Sequence, residues 1–115
     1  MGNSSSTEDR FGHAKAPHFI LIEYCGGWGY YGYVAEVAEK IEAKYPNMFY
    51  IKLAKDSGVT GRLEVTIFPN SKDAKGKGTK VHSKAKGEGY PYKDWDAFFK
   101  KIDEVLATVK WWLTY

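Results

Sequence analysis

The chain has 115 residues with a formal charge of +3, and 43% of its residues are hydrophobic and 17% aromatic. That composition argues against disorder and supplies one core, while no apolar run reaches the length of a membrane span. A single cysteine, Cys25, excludes an intrachain disulfide, a cysteine zinc ribbon and a dithiol CxxC cycle by counting, and points to a reducing, cytoplasmic setting. Residues 1–16 are polar and aperiodic, without the pattern of a signal or transit peptide, and read as a flexible arm. The start Met1-Gly2-Asn3-Ser4-Ser5-Ser6 fits the N-myristoylation pattern, with Gly2 as acceptor, and also resembles an expression-vector scar. One acyl chain binds membrane only marginally, so membrane contact is expected only with that modification and a second signal such as a lysine loop.

The domain proper is read over residues 17–110. His18 to Tyr24 is a β-branched and aromatic run without alternation, as in a central strand covered on both faces. After Cys25-Gly26-Gly27 the period changes: Tyr30, Tyr33, Val34, Val37, Ala38, Ile41 and Tyr45 form a helical stripe that Pro46-Asn47 stops. Met48 to Leu53 and Leu63 to Ile67 alternate as second and third strands on either side of the Asp56-Ser57-Gly58 turn. Between Ser71 and Lys86 six lysines face one acid, a local +5 that leaves −2 for the rest. This loop reads as a solvated hairpin leading to an edge strand at Thr79 to Ser83, and no nucleic-acid partner is expected. Asp94 caps a last helix whose stripe runs from Trp95 through Phe98, Phe99, Ile102, Val105, Leu106 and Val109. The order β-α-β-β-β-α predicts a thioredoxin-like α/β fold, a four-stranded mixed sheet with two helices packed on it. Residues 111–115, with Trp111, Trp112 and Tyr115, form an aromatic tail expected to dock on a partner surface.

Chemistry is expected at the turn after the first strand, where Cys25 faces free backbone N–H groups at a helix amino end. There Tyr24-Cys25-Gly26-Gly27-Trp28-Gly29-Tyr30 resembles the Cys-x-x-selenocysteine-Gly-Tyr signature of the selenoprotein W, T and H family. Gly61-Arg62-Leu63-Glu64-Val65 resembles the family's Gly-x-Phe/Leu-Glu-Val strand. Val81-His82-Ser83-Lys84 with Lys86-Gly87-Glu88-Gly89-Tyr90 resembles its Ile/Val-His-Ser-Lys-x-Lys-x-Gly-Asp/Glu-Gly-Tyr segment. The resemblance implies a thioredoxin-like fold, cytosolic thiol redox function linked to glutathione or thioredoxin systems, and client proteins as partners.

The departure is Trp28, at the selenocysteine-equivalent position, since an indole neither attacks a disulfide nor resolves one. Either the redox pair is lost and the scaffold kept, or tryptophan stands for a UGA selenocysteine codon. The leading reading is a protein-binding module or subunit of a larger assembly, with Trp28, Tyr31, Trp111, Trp112 and Tyr115 as contact residues. The alternative is a thiol oxidoreductase through Cys25, monothiol or paired with selenocysteine at position 28, with glutathione as thiol partner. No resident cofactor and no metal site are expected. Cys25 itself reads as either a redox thiol or an inert buried one. Tyr30 and Tyr33 are expected on the sheet and Tyr31 outward, and His82 reads as a surface residue.

Overall fold

The computed structural model describes residues 10–27 and 29–113. Gly2, Trp28 and Tyr115 lie outside the described residues, as do the side chains of Trp111 and Trp112. In chain order the elements are β1 (Arg10–Gly12), β2 (His18–Tyr24), α1 (Tyr30–Lys44), β3 (Phe49–Lys55), β4 (Leu63–Phe68), β5 (Thr79–Ser83), a 3-10 turn (Pro91–Lys93) and α2 (Trp95–Leu113). The sheet runs β1-β3-β2-β4-β5. Only β2 and β3 are parallel, joined through α1; the other neighbours are antiparallel.

The fold is the expected mixed α/β architecture, with one correction: the sheet has five strands and not four. The additional strand, β1, comes from the segment read as a flexible arm. Phe11 pairs with Ile51, and the His13 N–H donates to the Phe49 carbonyl at 3.0 Å. Three residues are too few for alternation to register in a sequence, and the pairing partner lies some forty residues away.

Burial explains the rest. Ile20, Ile22 and Tyr24 of β2, Phe49, Ile51 and Leu53 of β3, and Leu63, Val65 and Ile67 of β4 join one core with Val34, Val37, Ala38 and Ile41 of α1 and Phe98, Ile102 and Leu106 of α2. Both helices therefore lie on one face of the sheet. On the other face Phe19 and Phe68 meet at 6.0 Å between ring centroids and are buried. The lysine loop lies over this face, with Lys72, Asp73 and Ala74 lining a cavity together with Phe19, Leu21, Tyr50 and Lys52. It is exposed, as expected, but it covers the sheet and does not stand away from it. The start of α2 is capped as read, the Ala97 N–H donating to Asp94 Oδ1 at 3.0 Å. Its helix continues through Leu113, so Trp111 and Trp112 extend it.

Two further expectations change. Tyr33 is 40% exposed, because the first turn of α1 overhangs the sheet and packs on the segment around Tyr90 and Tyr92. His82 is buried at 5%: the β4–β5 register shifts beside Val65, and the bulge turns both Val81 and His82 toward the helices, where His82 meets Phe98. His18 is buried too, its Nδ1 accepting the Asn70 N–H at 3.0 Å.

Burial holds both histidines below their ordinary range. The unfolded chain then binds protons that the folded chain refuses, so their stabilising effect is complete above about pH 6.5 and is lost as pH falls through the lowered folded values. The carboxylates of Asp56, Glu64 and Glu88 are also lowered, which adds a second loss below about pH 4.3. The urea midpoint should decline from pH 7.5 to 5.5, and less steeply in His18→Gln/His82→Gln. A midpoint that stays flat over that interval would contradict the assignment.

Candidate functional site

Cys25 follows the last residue of β2, and its turn is held by a second loop, residues 56–62. Three backbone bonds tie them: Asp56 N–H to the Tyr24 carbonyl at 2.8 Å, Cys25 N–H to Arg62 at 2.9 Å and Gly26 N–H to Gly58 at 2.9 Å. The loop is in turn clamped by Arg62, whose Nη2 and Nε donate to the two Asp56 carboxylate oxygens at 2.7 and 3.1 Å. The Thr60 hydroxyl donates to the same carboxylate. Arg62 holds the Asp56 carboxyl below the usual carboxylate range, and Asp56 in turn raises the guanidinium.

Gly26 is required by this approach, since a Cβ there would stand 2.3 Å from the Asp56 carbonyl oxygen. Gly29, at φ +69°, lets the chain enter α1 in the left-handed region.

The Cys25 thiol is lowered from its ordinary value chiefly by the Gly61 backbone, against the opposing effect of burial, with help from Gly27 and Thr60. The Gly27 N–H points at Sγ from 3.3 Å. The residue is only 1% exposed. Groups that favour the thiolate do surround Sγ, but they come from Gly27 and from the neighbouring loop at Thr60 and Gly61, not from the amino end of α1 as expected. Nothing local to Cys25 announces that loop. The nearest signals in the sequence are the glycines at 58 and 61 that let it turn.

Beside the thiol, Val59 is 80% exposed and lies against Gly27. At the start of α1, Tyr31 is exposed as expected and its ring meets that of Tyr24. Tyr30 accepts a hydrogen bond from the Tyr90 hydroxyl at 3.3 Å, which raises Tyr90. Tyr92 stacks on both Tyr33 and Tyr90, whose own planes are tilted by 46°, and the Lys84 ammonium stands 5.2 Å from the Tyr90 ring centroid and 6.0 Å from that of Tyr30.

Lys84 is placed by a buried carboxylate. Glu64 is 2% exposed and accepts from the Ser83 hydroxyl at 2.6 Å, the Ala85 N–H at 3.1 Å and Lys80 Nζ at 3.2 Å. Burial alone would raise this carboxyl, but these donors outweigh it and hold the group below its ordinary value. Glu88 closes the turn, its Oε1 accepting the Ser83 N–H at 2.8 Å and its Oε2 facing Lys101 at 3.1 Å. The Glu-Val and His-Ser-Lys segments that stood apart in the sequence thus form one scaffold. Among the described residues no three His, Cys, Asp or Glu side chains gather as a metal site, and no helix is long and apolar enough to cross a membrane.

A family model described as the Rdx family matches residues 19–104, a span that contains the Cys25 turn, Glu64 and the Ser83 to Tyr90 turn. The chain belongs to the Rdx family. It is similar to selenoprotein W of Mus musculus and of Rattus norvegicus, 32% identical to each over 83 residues, which cover 72% of this chain and 82% of each relative. This Rdx chain is selenoprotein W-like in sequence over 72% of its length.

Proposed function

We propose that this Rdx protein works as a protein-binding module on a selenoprotein W-like scaffold, with the two-centre redox cycle closed by the tryptophan at position 28. One observation carries the reading. Every exposed large hydrophobic side chain among the described residues stands on the loop beside Cys25, the first turn of α1 or the 3-10 turn: Val59 lies against Gly27, Tyr31 meets Tyr24, and on another side of α1 Tyr33 stacks on Tyr92. Exposed aromatic groups in mutual contact, as Tyr33 and Tyr92 are, are a feature of interaction surfaces, whereas single scattered ones are ordinary. The enclosed thiol supports the same reading, because a nucleophile 1% exposed meets few disulfides.

The backbone donors around Sγ favour a second reading, monothiol exchange. In it the Cys25 thiolate attacks one sulfur of oxidised glutathione, forms a mixed disulfide and releases one glutathione thiolate; a second glutathione thiolate then displaces Cys25 and restores it. With selenocysteine natively at position 28, that group would resolve the mixed disulfide instead.

The native codon and the intact mass decide between tryptophan and selenocysteine at position 28. For the tryptophan protein, the thiolate absorbance should titrate with a midpoint below the roughly 8.5 of free cysteine. Glutathione adducts should form slowly, accelerate in denaturant and vanish in Cys25→Ser. A midpoint at or above that of free cysteine would remove the monothiol reading, and rapid catalytic turnover of a disulfide substrate would remove the binding-module reading.

A further inference from the structure

The cavity under the lysine loop, on the sheet face turned away from both helices, has a volume of about 420 Å³. That lies within the roughly 300–1,000 Å³ of small-molecule sites. Its floor is apolar. Phe19 is the ladder neighbour of Tyr50, and Leu21 follows two residues on along β2, so the three side chains share one face. Phe19 is buried, while Leu21 and Tyr50 are half-buried. The mouth is cationic: Lys52, the ladder neighbour of Leu21, and Lys72 of the loop both stand exposed there.

The roof is fixed at both ends. Where the loop leaves β4, the Asn70 N–H donates to buried His18 Nδ1 at 3.0 Å. Just before β5, Gly78 approaches the sheet so closely that a Cβ there would stand 2.6 Å from the Phe68 ring. Between these anchors the Ser71 hydroxyl donates to the Asp73 carbonyl at 2.8 Å, and the Lys75 N–H donates to Asp73 Oδ1 at 3.1 Å. The Asp73 carboxylate thus braces its own turn. Among the described residues neither Lys52 nor Lys72 has an acid within ion-pair distance.

We propose that this cavity binds a medium-chain fatty acid, with its carboxylate between the Lys52 and Lys72 ammonium groups and its alkyl chain over Phe19, Leu21 and Tyr50. Charge selects the head group. Lys52, Lys72 and Asp73 leave the lining one positive charge in excess, which a single carboxylate neutralises and a phosphate monoester, with nearly two charges, overshoots. Shape selects the tail. The Phe19 ring is crossed by that of Tyr50 at 62° and by that of Phe68 at 55°, so the floor presents ring edges and a branched side chain, not an open ring face. A nucleobase needs such a face to stack on, and a flexible chain does not. The inference goes beyond the binding-module reading and is independent of it, since none of these residues belongs to the Cys25 turn or to the tyrosine cluster.

The test uses the full chain, labelled for nuclear magnetic resonance, and sodium decanoate below its micelle concentration. Saturable shifts should centre on Phe19, Leu21, Tyr50 and residues 72–74. Each methylene buried is worth up to about fourfold in affinity, so octanoate should bind at least about threefold more weakly, and hexanoate more weakly again. Lys52→Gln/Lys72→Gln should weaken decanoate several-fold, as loss of exposed charge partners does, and leave 1-decanol unchanged. Leu21→Asn should weaken both, with the amide spectrum confirming that the fold is kept. The site is overturned by absence of saturable binding, by shifts centred elsewhere, or by equal affinity for hexanoate and decanoate. It is equally overturned by 1-decanol matching decanoate, by tighter binding of decyl phosphate, or by an oligouridine strand producing the same shifts at lower concentration. Each of these results leaves the binding-module reading untouched.

Discussion

Glu64→Ala should be the most destabilising polar substitution in the protein. It removes the buried acceptor shared by the Ser83 hydroxyl, which stays buried, and by the Ala85 N–H and the Lys80 ammonium, which water can reach. Losing hydrogen bonds to a charged group costs about 1.5–3 kcal/mol, and about 1 kcal/mol moves the midpoint of a domain near this size by 4–8 °C. A fall of at least ~6 °C in the melting temperature is expected. Glu64→Gln should fall between, since its amide oxygen can still accept from Ser83 while its NH2 group opposes another donor. Lys84→Ala, which touches only ring faces, should stay within about 1 kcal/mol of the parent. If Glu64→Ala melts within a few degrees of the parent, the carboxylate is not the anchor of the 84–89 turn.

The second large effect is expected at Gly26. An alanine Cβ there would meet backbone oxygens of Asp56 at 2.3 Å and Gly58 at 3.0 Å, neither of which can swing aside as a side chain tip does. Relief requires the 56–62 loop to retreat, at the upper end of the roughly 1–3 kcal/mol that overpacking costs. Retreat also carries the Gly61 and Thr60 donors away from Sγ, so the thiolate midpoint should rise toward that of free cysteine. Gly29→Ala provides the contrast. Nothing lies within 4 Å of its Cβ, so it suffers only the left-handed φ, about 1–2 kcal/mol, and leaves the thiol unchanged. Thermal melts paired with thiolate titrations separate the two variants; a Gly26→Ala protein with the parental thiolate midpoint would contradict the loop's role.

The elements that the sequence made legible are those whose pattern is internal to the segment. The unbroken apolar run of β2, the Val34 to Ile41 stripe of α1 and the Asp94 cap before α2 each carry their own signal. What escaped depends on distant partners. β1 exists because Ile51 and Phe49 offer it a ladder, and His82 is inside because a bulge opposite Val65 turns it there. The same holds at the site. Cys25 could be placed at a strand end from its neighbours, but the Thr60 and Gly61 groups that favour its thiolate approach from more than thirty residues along the chain. Tyr33 fitted a helical stripe by spacing alone; only the overhang of α1 past the sheet turned it to Tyr90 and Tyr92.

The rims of the sheet bear on how the chain behaves when crowded. One rim is β1, three residues long, and the other is β5, bent by its bulge and carrying Lys80. Adding a strand from another molecule demands a straight ladder of free N–H and C=O groups at regular intervals. Among the described residues neither rim offers one: the first spans a single repeat, and the second breaks step in its middle, beside a charge. The sheet itself thus resists growing into fibrils, whatever the exposed tyrosines of α1 contact.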